Sequence, residues 1–356
     1  MATLVGGVAQ PAPLEWAPTP LGPDNAVLYT AEQAGGTLWS VGINLEPGKE
    51  GTLKFHPLAE RWDGVSWQQT VQPMADGRLD DVLARAANDA WAVGATEQTI
   101  TEPMRPVLQH WTGDAWSLVD APAGAPGENA QFTTVAAQGD DLLIGRYGDQ
   151  ASVLRYAHGR WQELPREGLE HIVYLDDLKA VSGKEIWAAG IGGVARYDGT
   201  RWTKVDLPVD MPADRQFEVA QLVVKSADDI WAVGEKPDLT LWRRPLALHY
   251  DGKAWTEISA PSVTGQFHDL DFVDGKAVAI GGNPDTGAPL IAELGGDGFV
   301  PTTTPPGAGY LHGSVQTGRC IWTVGVSTET VNNFEKPYAA VGKHRPDAGH
   351  GALPTC

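Results

Sequence analysis

"DDIWAVGEKPDLTLWRRPLALHYDGKAWTEISAP", from Asp228 to Pro261, holds two tryptophans of interest, Trp231 and Trp255, with the turn Asp251-Gly252 between them. In "IWAVG" Trp231 and Val233 stand two positions apart, so on an extended chain both point to one face. In "ALHYDGKAWTEI" two short apolar-polar runs flank a D-G pair, the strongest local hairpin signal. Ahead of Trp231, "QLVVKSADD" supplies one more alternating strand and a polar turn. The stretch therefore reads as four antiparallel strands, "QLVVKS", "IWAVGE", "LALHY" and "AWTEIS".

The same phrase recurs along the chain. W-x-V-G or a relative appears seven times, as "LWSVG" at Trp39, "AWAVG" at Trp91, "DLLIG" at Leu142, "IWAAG" at Trp187, "IWAVG" at Trp231, "AVAIG" at Val278 and "IWTVG" at Trp322. Successive anchors lie 52, 51, 45, 44, 47 and 44 residues apart. A second phrase follows each of the first six: "RWDGVSW", "HWTGDAW", "RYAHGRW", "RYDGTRW", "HYDGKAW" and "ELGGDGF". Four-stranded units at this period are the blades of a β-propeller. Thirteen of the fourteen tryptophans fall on the pattern. Such regular spacing assigns them to the space between blades and not to a sugar-stacking platform.

The last unit has "HGSVQT", "CIWTVGV" and "PYAAVGKH" but no fourth strand. The segment "PLEWAPTPLG" near the start reads like a fourth strand without a blade. Trp16 is thus expected to complete the seventh blade and close the ring, leaving no open sheet edge. The expected organisation is an extension over 1–12, an all-β, seven-bladed propeller over 13–346 and a tail over 347–356.

On these repeats the chain resembles the broad kelch-like, Asp-box and galactose-oxidase-like group of propellers. The kelch double glycine is missing from the second strand, and "DGTRW" and "DGKAW" only approximate the Asp-box order. The paired GH and WD dipeptides of WD repeats are absent. The resemblance therefore implies an architecture and no family active site. It also implies where a ligand would meet the fold: the face built from loops between second and third strands and from loops leading into the next blade.

Composition narrows the function classes. With 356 residues, 42% of them hydrophobic and 20% charged, the chain can bury a large core. Its 42 glycines and 26 prolines are spread throughout, as many short strands require. The net charge of −19 argues against nucleic acid as a partner, since phosphate binding needs clustered Lys and Arg. The acidity reads first as a means of solubility. No apolar run reaches the ~20 residues of a membrane span. The opening "MATLVGGVAQPAP" lacks the basic region and the apolar length of an intact signal peptide. Cys320 and Cys356, the only cysteines, have no metal-type spacing. A bridge between them would favour export, and two unrelated thiols are the alternative. A monomer is expected, with a secreted or extracellular location favoured slightly over a cytoplasmic one.

The turns on one face are short ("DGK", "SADD", "TGR"), whereas the opposite loops, such as "ATEQTITEPMRP" and "EKPDLTLWRRP", are long and dissimilar. Variable loops on a repeated scaffold are where specificity resides. The start of each first strand is expected to ring a central channel. By register this places Asp80 and Asp81, Asp176 and Asp177, Gln221, His268 and Asp269, and His312 around the opening. Tyr174, Glu218 and Tyr310 lie just upstream, with Arg78, His171 and Arg215 nearby. Carboxylates and imidazoles from several blades could hold a divalent cation, with Asp80, Asp81, Asp177 and Asp269 as candidate ligands. Alternatively His268, His312, Asp176, Glu218, Tyr174 and Tyr310 could supply a general acid and base. The competing reading is a water-filled channel with solvated acids.

Trp242, off the repeat and beside Arg243 and Arg244, is a candidate contact for a partner or planar ligand. It could equally cover its own loop. His110 and His249 recur where other units have Arg61, Arg155 and Arg196, so they belong to the repeat and not to catalysis. No nucleotide-loop, nucleophile-elbow, zinc-protease or EF-hand pattern occurs. Two functions remain. One is a binding or scaffold propeller for a protein, peptide, glycan or small molecule. The other is a lyase, cyclase or hydrolase working at the channel mouth.

Overall fold

The computed structural model describes residues 13–22, 24–48, 53–99, 102–122, 128–211, 215–238, 243–331 and 334–344. Within them every regular element is a strand, twenty-eight in all, numbered β1 to β28 in chain order. The quoted stretch forms β18 (Glu218–Ser226), β19 (Asp229–Pro237), β20 (Arg243–Tyr250) and β21 (Trp255–Glu257), paired antiparallel in sequence order. The alternation of Trp231 and Val233 with their neighbours and the Asp251-Gly252 turn therefore do what the sequence asks of them.

Counted by hydrogen bonds there are six sheets, five of four strands and one of eight. The eight-stranded sheet contains two of the quartets that the repeat delimits, joined by the single pair Ile191↔Glu218. The first strands of the quartets are β2 (Ala26–Ala34), β6 (Arg78–Ala86), β10 (Gln131–Gln138), β14 (Tyr174–Ala180), β18, β22 (Gln266–Val273) and β26 (Ala308–Thr317). Each packs against the next, and β26 packs against β2, so these strands form a closed cycle. The closing quartet draws on both ends of the chain. β1 (Leu14–Pro18) pairs with β28 (Phe334–His344), with Trp16 opposite Gly342, and β28 pairs with β27 (Cys320–Val331) and β27 with β26.

The apolar clusters lie between neighbouring quartets. Trp39, fully buried, meets Trp111 and Trp116 of the following quartet with ring centroids 5.1 and 5.2 Å away. Trp187 meets Trp255 and Tyr250 in the same way. Nine of the repeat tryptophans are buried, and Trp16, Trp62, Trp91 and Trp161 are half-buried. The indoles fill the inter-blade space, as their spacing demands.

The anchor glycine has a steric cause. A Cβ on Gly190 would lie 1.9 Å from the carbonyl oxygen of Tyr174 on the neighbouring first strand. The same approach, at 1.9–2.3 Å, recurs at Gly42, Gly94, Gly234, Gly281 and Gly325. The carbonyl leans over the glycine because the first strand is bulged just beyond it. All seven first strands carry this register shift, which leaves one extra residue in each: Tyr29, Asp80, Thr133, Asp176, Ala220, His268 and His312. A bulge bends the strand and re-aims a side chain. Here it aims seven side chains at the centre.

Candidate functional site: the bulged mouth of the central channel

A cavity of about 640 Å³ runs down the middle of the ring, and all seven bulge residues line it. Because of the bulge, consecutive residues such as Asp176 and Asp177 both face the channel, which a regular strand forbids. The channel is thereby divided into three levels.

At the outer level the side chains hold one another. Arg78 pairs with Asp80 at 3.0 Å and donates to Gln131, whose amide donates to the Tyr174 hydroxyl at 2.8 Å. Arg243 pairs with Glu235 at 3.3 Å and donates to Gln266 Oε1 at 2.9 Å. That contact turns the Gln266 amide nitrogen toward His268 Nε2, 2.7 Å away, which makes this nitrogen an acceptor. The Tyr310 hydroxyl lies 2.7 Å from the same nitrogen. His312 packs between Tyr29 and Tyr310, with centroids at 5.7 and 4.9 Å. Burial pulls His268 down to about 4 and His312 to about 3, with Arg243 and His268 respectively adding to the effect. Both imidazoles are neutral at neutral pH. Burial pushes the other way on the acids. Asp80 rises to about 6 despite Arg78, and Glu235 to about 7. Asp176 is raised well above the carboxylate range by burial, then by Glu218 and Asp177, and Glu218 is raised by burial against the pull of Arg243. Asp176 Oδ2 is buried without a hydrogen-bond partner.

At the middle level the residue after the bulge ties neighbouring quartets at four of the seven boundaries. Asp81 accepts from its own Val82 N–H at 2.8 Å and from Val135 N–H of the next quartet at 2.9 Å. Asp177 does the same with Leu178 and Leu222, both at 2.8 Å. Asp269 accepts from Leu270 at 2.8 Å and Ser314 at 2.6 Å, and Gln221 Oε1 takes the Leu270 N–H at 2.6 Å. Three of the four candidate cation ligands, Asp81, Asp177 and Asp269, thus have both carboxylate oxygens engaged by backbone donors, and Asp80 is held by Arg78. Among the described residues no group of three or more His, Cys, Asp or Glu is arranged to hold a metal ion.

At the innermost level Lys179 donates to Asp177 at 3.0 Å. Burial alone would pull its ammonium down, but Asp177, Glu32 and Asp81 together hold it above the usual lysine value. Glu32, raised to about 7 by burial, and Asp271, raised to about 6 by burial, complete this level.

Of the residues expected at the opening, Asp80, Asp81, Tyr174, Asp176, Asp177, Glu218, Gln221, His268, Asp269 and His312 line the cavity. Tyr310, Arg78 and Arg243 join through the contacts given above. His171, whose Nε2 lies 3.2 Å from Val194 O, and Arg215 are not among the lining residues. Arg244 pairs with Asp238 at 2.9 Å on the loop side. Trp242 lies outside the described residues. Sequence reasoning missed Tyr29, Gln131, Gln266, Glu32, Lys179 and Asp271. Lys179 and Asp271 stand two positions after Asp177 and Asp269, so the period-two rule would have found them, whereas Glu32 follows Thr30, which the sequence did not place at the channel.

On the short-turn face, His110 lies 2.8 Å from Asp89 and stacks on Trp91, whose indole donates to the same carboxylate at 3.0 Å. His249, Asp229 and Trp231 repeat the arrangement, and Arg196, Glu185 and Trp187 make it with arginine. These histidines are part of the repeat. Cys320 is buried and disulfide-bonded, and the other cysteine, Cys356, lies outside the described residues.

The chain is an all-β protein of propeller-like architecture, built from repeated four-stranded antiparallel sheets around a polar channel. No protein-family profile matches it, and no curated protein sequence does. Among the described residues no helix is long and apolar enough to cross a membrane.

Proposed function

We propose that this is a binding propeller of seven blades, which recognises a protein, peptide or glycan on its long-loop face, with the channel mouth at the centre of the contact. The observation that carries the reading is how the mouth histidines are used. His268 and His312 contact Tyr310, Gln266 and Tyr29, and among the described residues neither has a hydrogen bond to a carboxylate. A general-base histidine is oriented by an acid within hydrogen-bond reach, and a histidine among tyrosines and an amide is a shaped, neutral wall. The disulfide at Cys320 supports an exported protein, because such bonds persist in oxidising surroundings.

One observation favours catalysis instead. Asp176 and Glu218 are neighbouring carboxyl groups, both raised and the first raised by the second, as an acid and base pair requires. Screening the whole protein against peptide and glycan arrays, followed by mass analysis of every ligand captured, decides between the two. The binding reading expects ligands recovered unchanged, and capture reduced by Tyr310→Ala or Arg244→Ala. A ligand that the wild type converts, and that His268→Ala or Glu218→Gln binds without converting, would overturn it.

A further inference from the structure

Among the described residues eight carboxyl groups and a single lysine line the channel cavity, so a cation entering it meets many acceptors and little repulsion. Most of these acids have internal partners. Asp81, Asp177 and Asp269 take backbone N–H groups, and Lys179 faces Asp177, Glu32 and Asp81. Asp80 is held by Arg78. Asp176 is different, because its Oδ2 is a buried acceptor with no donor among the described residues and it lies in the wall of the cavity. A buried acceptor left unpaired costs stability unless something donates to it. Glu218 stands close enough to raise it. Around this pair the walls are aromatic: Tyr29 and Tyr174 line the cavity, and Tyr310 meets His268 and His312.

On these grounds, and resting on the binding reading above, we infer that the channel mouth takes a primary ammonium group, with Asp176 and Glu218 as its acceptors and the tyrosine rings as its walls. An ammonium carries three N–H donors and needs only a few oxygens, whereas a hard divalent cation needs six or more in a closed shell. The aromatic faces attract a cation further. A neutral polyol brings no positive charge, so it could not favour the ionised form of the pair that burial opposes, as an ammonium does. The amine belongs either to a free polyamine or to a lysine side chain of a polypeptide. Both present the same group.

Isothermal titration of the full chain tests this with four probes: putrescine, a blocked lysyl peptide, butanediol and succinate. At about pH 7.5 the amines should bind, and the diol and diacid should not. Asp176→Asn, which keeps the shape and cannot ionise against the ammonium, should weaken the amine by at least about tenfold. Asp140→Asn, on an exposed turn of the opposite face, should not change it. Tighter binding of putrescine than of the peptide identifies a free amine as the source, and the reverse order a lysine side chain. Butanediol binding as well as putrescine, or Asp176→Asn melting normally and binding the amine within about twofold of wild type, overturns the inference. If an uncharged or acidic array ligand binds and depends on Tyr310 or Arg244, the ammonium inference falls and the binding reading stands. If captured ligands are converted, it is the binding reading that falls.

Discussion

Asp269 on β22 accepts the backbone N–H of Ser314 on β26 at 2.6 Å while its other oxygen accepts from Leu270 on its own strand at 2.8 Å. One carboxylate thus spans the boundary between two quartets. Asp81 and Asp177 do the same, and Gln221 makes the outward half of the arrangement with a neutral oxygen. The position after the bulge is therefore a partial belt of side-chain hydrogen bonds, crossing four of the seven quartet boundaries and interrupted at Gly313, which has no side chain. It couples the local irregularity of four strands to the packing of the quartets that follow them.

Removing one link of the belt should be costly. Asp269→Ala leaves the Ser314 N–H buried without an acceptor, and such a loss costs about 1–3 kcal/mol. Asp269→Asn keeps one acceptor oxygen and should cost less. Thermal denaturation followed by circular dichroism reads the difference. Equal melting temperatures for the alanine variant and the wild type would mean that the belt contributes nothing to stability.

Gly190 gives a sharper contrast within a single quartet. A methyl group there would stand 1.9 Å from the Tyr174 carbonyl, while one on Gly183 meets nothing within 4 Å. Gly190→Ala should therefore destabilise by about 1–3 kcal/mol or more, the cost of overpacking against backbone that cannot retreat. Gly183→Ala should stay within about 0.5 kcal/mol of wild type. Urea unfolding of the two variants side by side checks both values. If the two behave alike, the steric account of the anchor glycine fails.

The same glycine explains what the sequence disclosed and what it hid. Strand order, the tryptophan core and the closure by Trp16 follow from period-two alternation and repeat spacing, which are local or nearly local signals. The channel depends on the bulge. The bulged residue stands nine to eleven positions before its anchor, because the hairpins differ in length, so no fixed offset locates it. Tyr29 and His312 share an offset of ten, and only the imidazole, a residue type that suggests chemistry, drew notice. The three-dimensional partners of each acid were also invisible. Asp81, Asp177 and Asp269 read as cation ligands from residue type alone, and only the neighbouring quartet reveals that their oxygens meet backbone N–H groups.

Stability should depend on pH in an unusual direction. Glu32, Glu60 and Glu235 are held up to about 7, and Asp80, Asp81 and Asp271 to about 6, in every case chiefly by burial. Their unfolded values are about 4, so from there to about pH 7 the folded state binds more protons. The stability they contribute is complete below about pH 4 and is lost as pH rises through 6 to 7. His268 and His312 act oppositely. Held down to about 4 and 3, they contribute above the unfolded value of 6.5 and lose that contribution as pH falls. Six acids outweigh two histidines, so the melting temperature should be higher near pH 5 than near pH 7.5, by at least about 3 °C at constant ionic strength. A melting temperature that is equal or higher at the alkaline end contradicts the burial of these acids away from water, four of them in the channel and Glu60 and Glu235 outside its lining.

The closing strand can be tested by taking it away. Leu14, almost fully buried, packs into the cluster between the last two quartets, and the Trp16 indole donates to Thr303 O at 3.0 Å. Leu14→Ala should cost about 2–5 kcal/mol, as for other buried leucines. A chain starting at Thr19 lacks β1 altogether and leaves the outer edge of β28 unpaired. An exposed edge invites pairing with other chains, so this protein should melt earlier and self-associate on size exclusion. A synthetic peptide covering residues 13–22, added in trans, should restore the monomer and raise the melting temperature, because an extended peptide can add as a strand to an open edge. A truncated chain that elutes and melts like the intact one would mean that the Trp16–Gly342 pairing does not hold the ring shut.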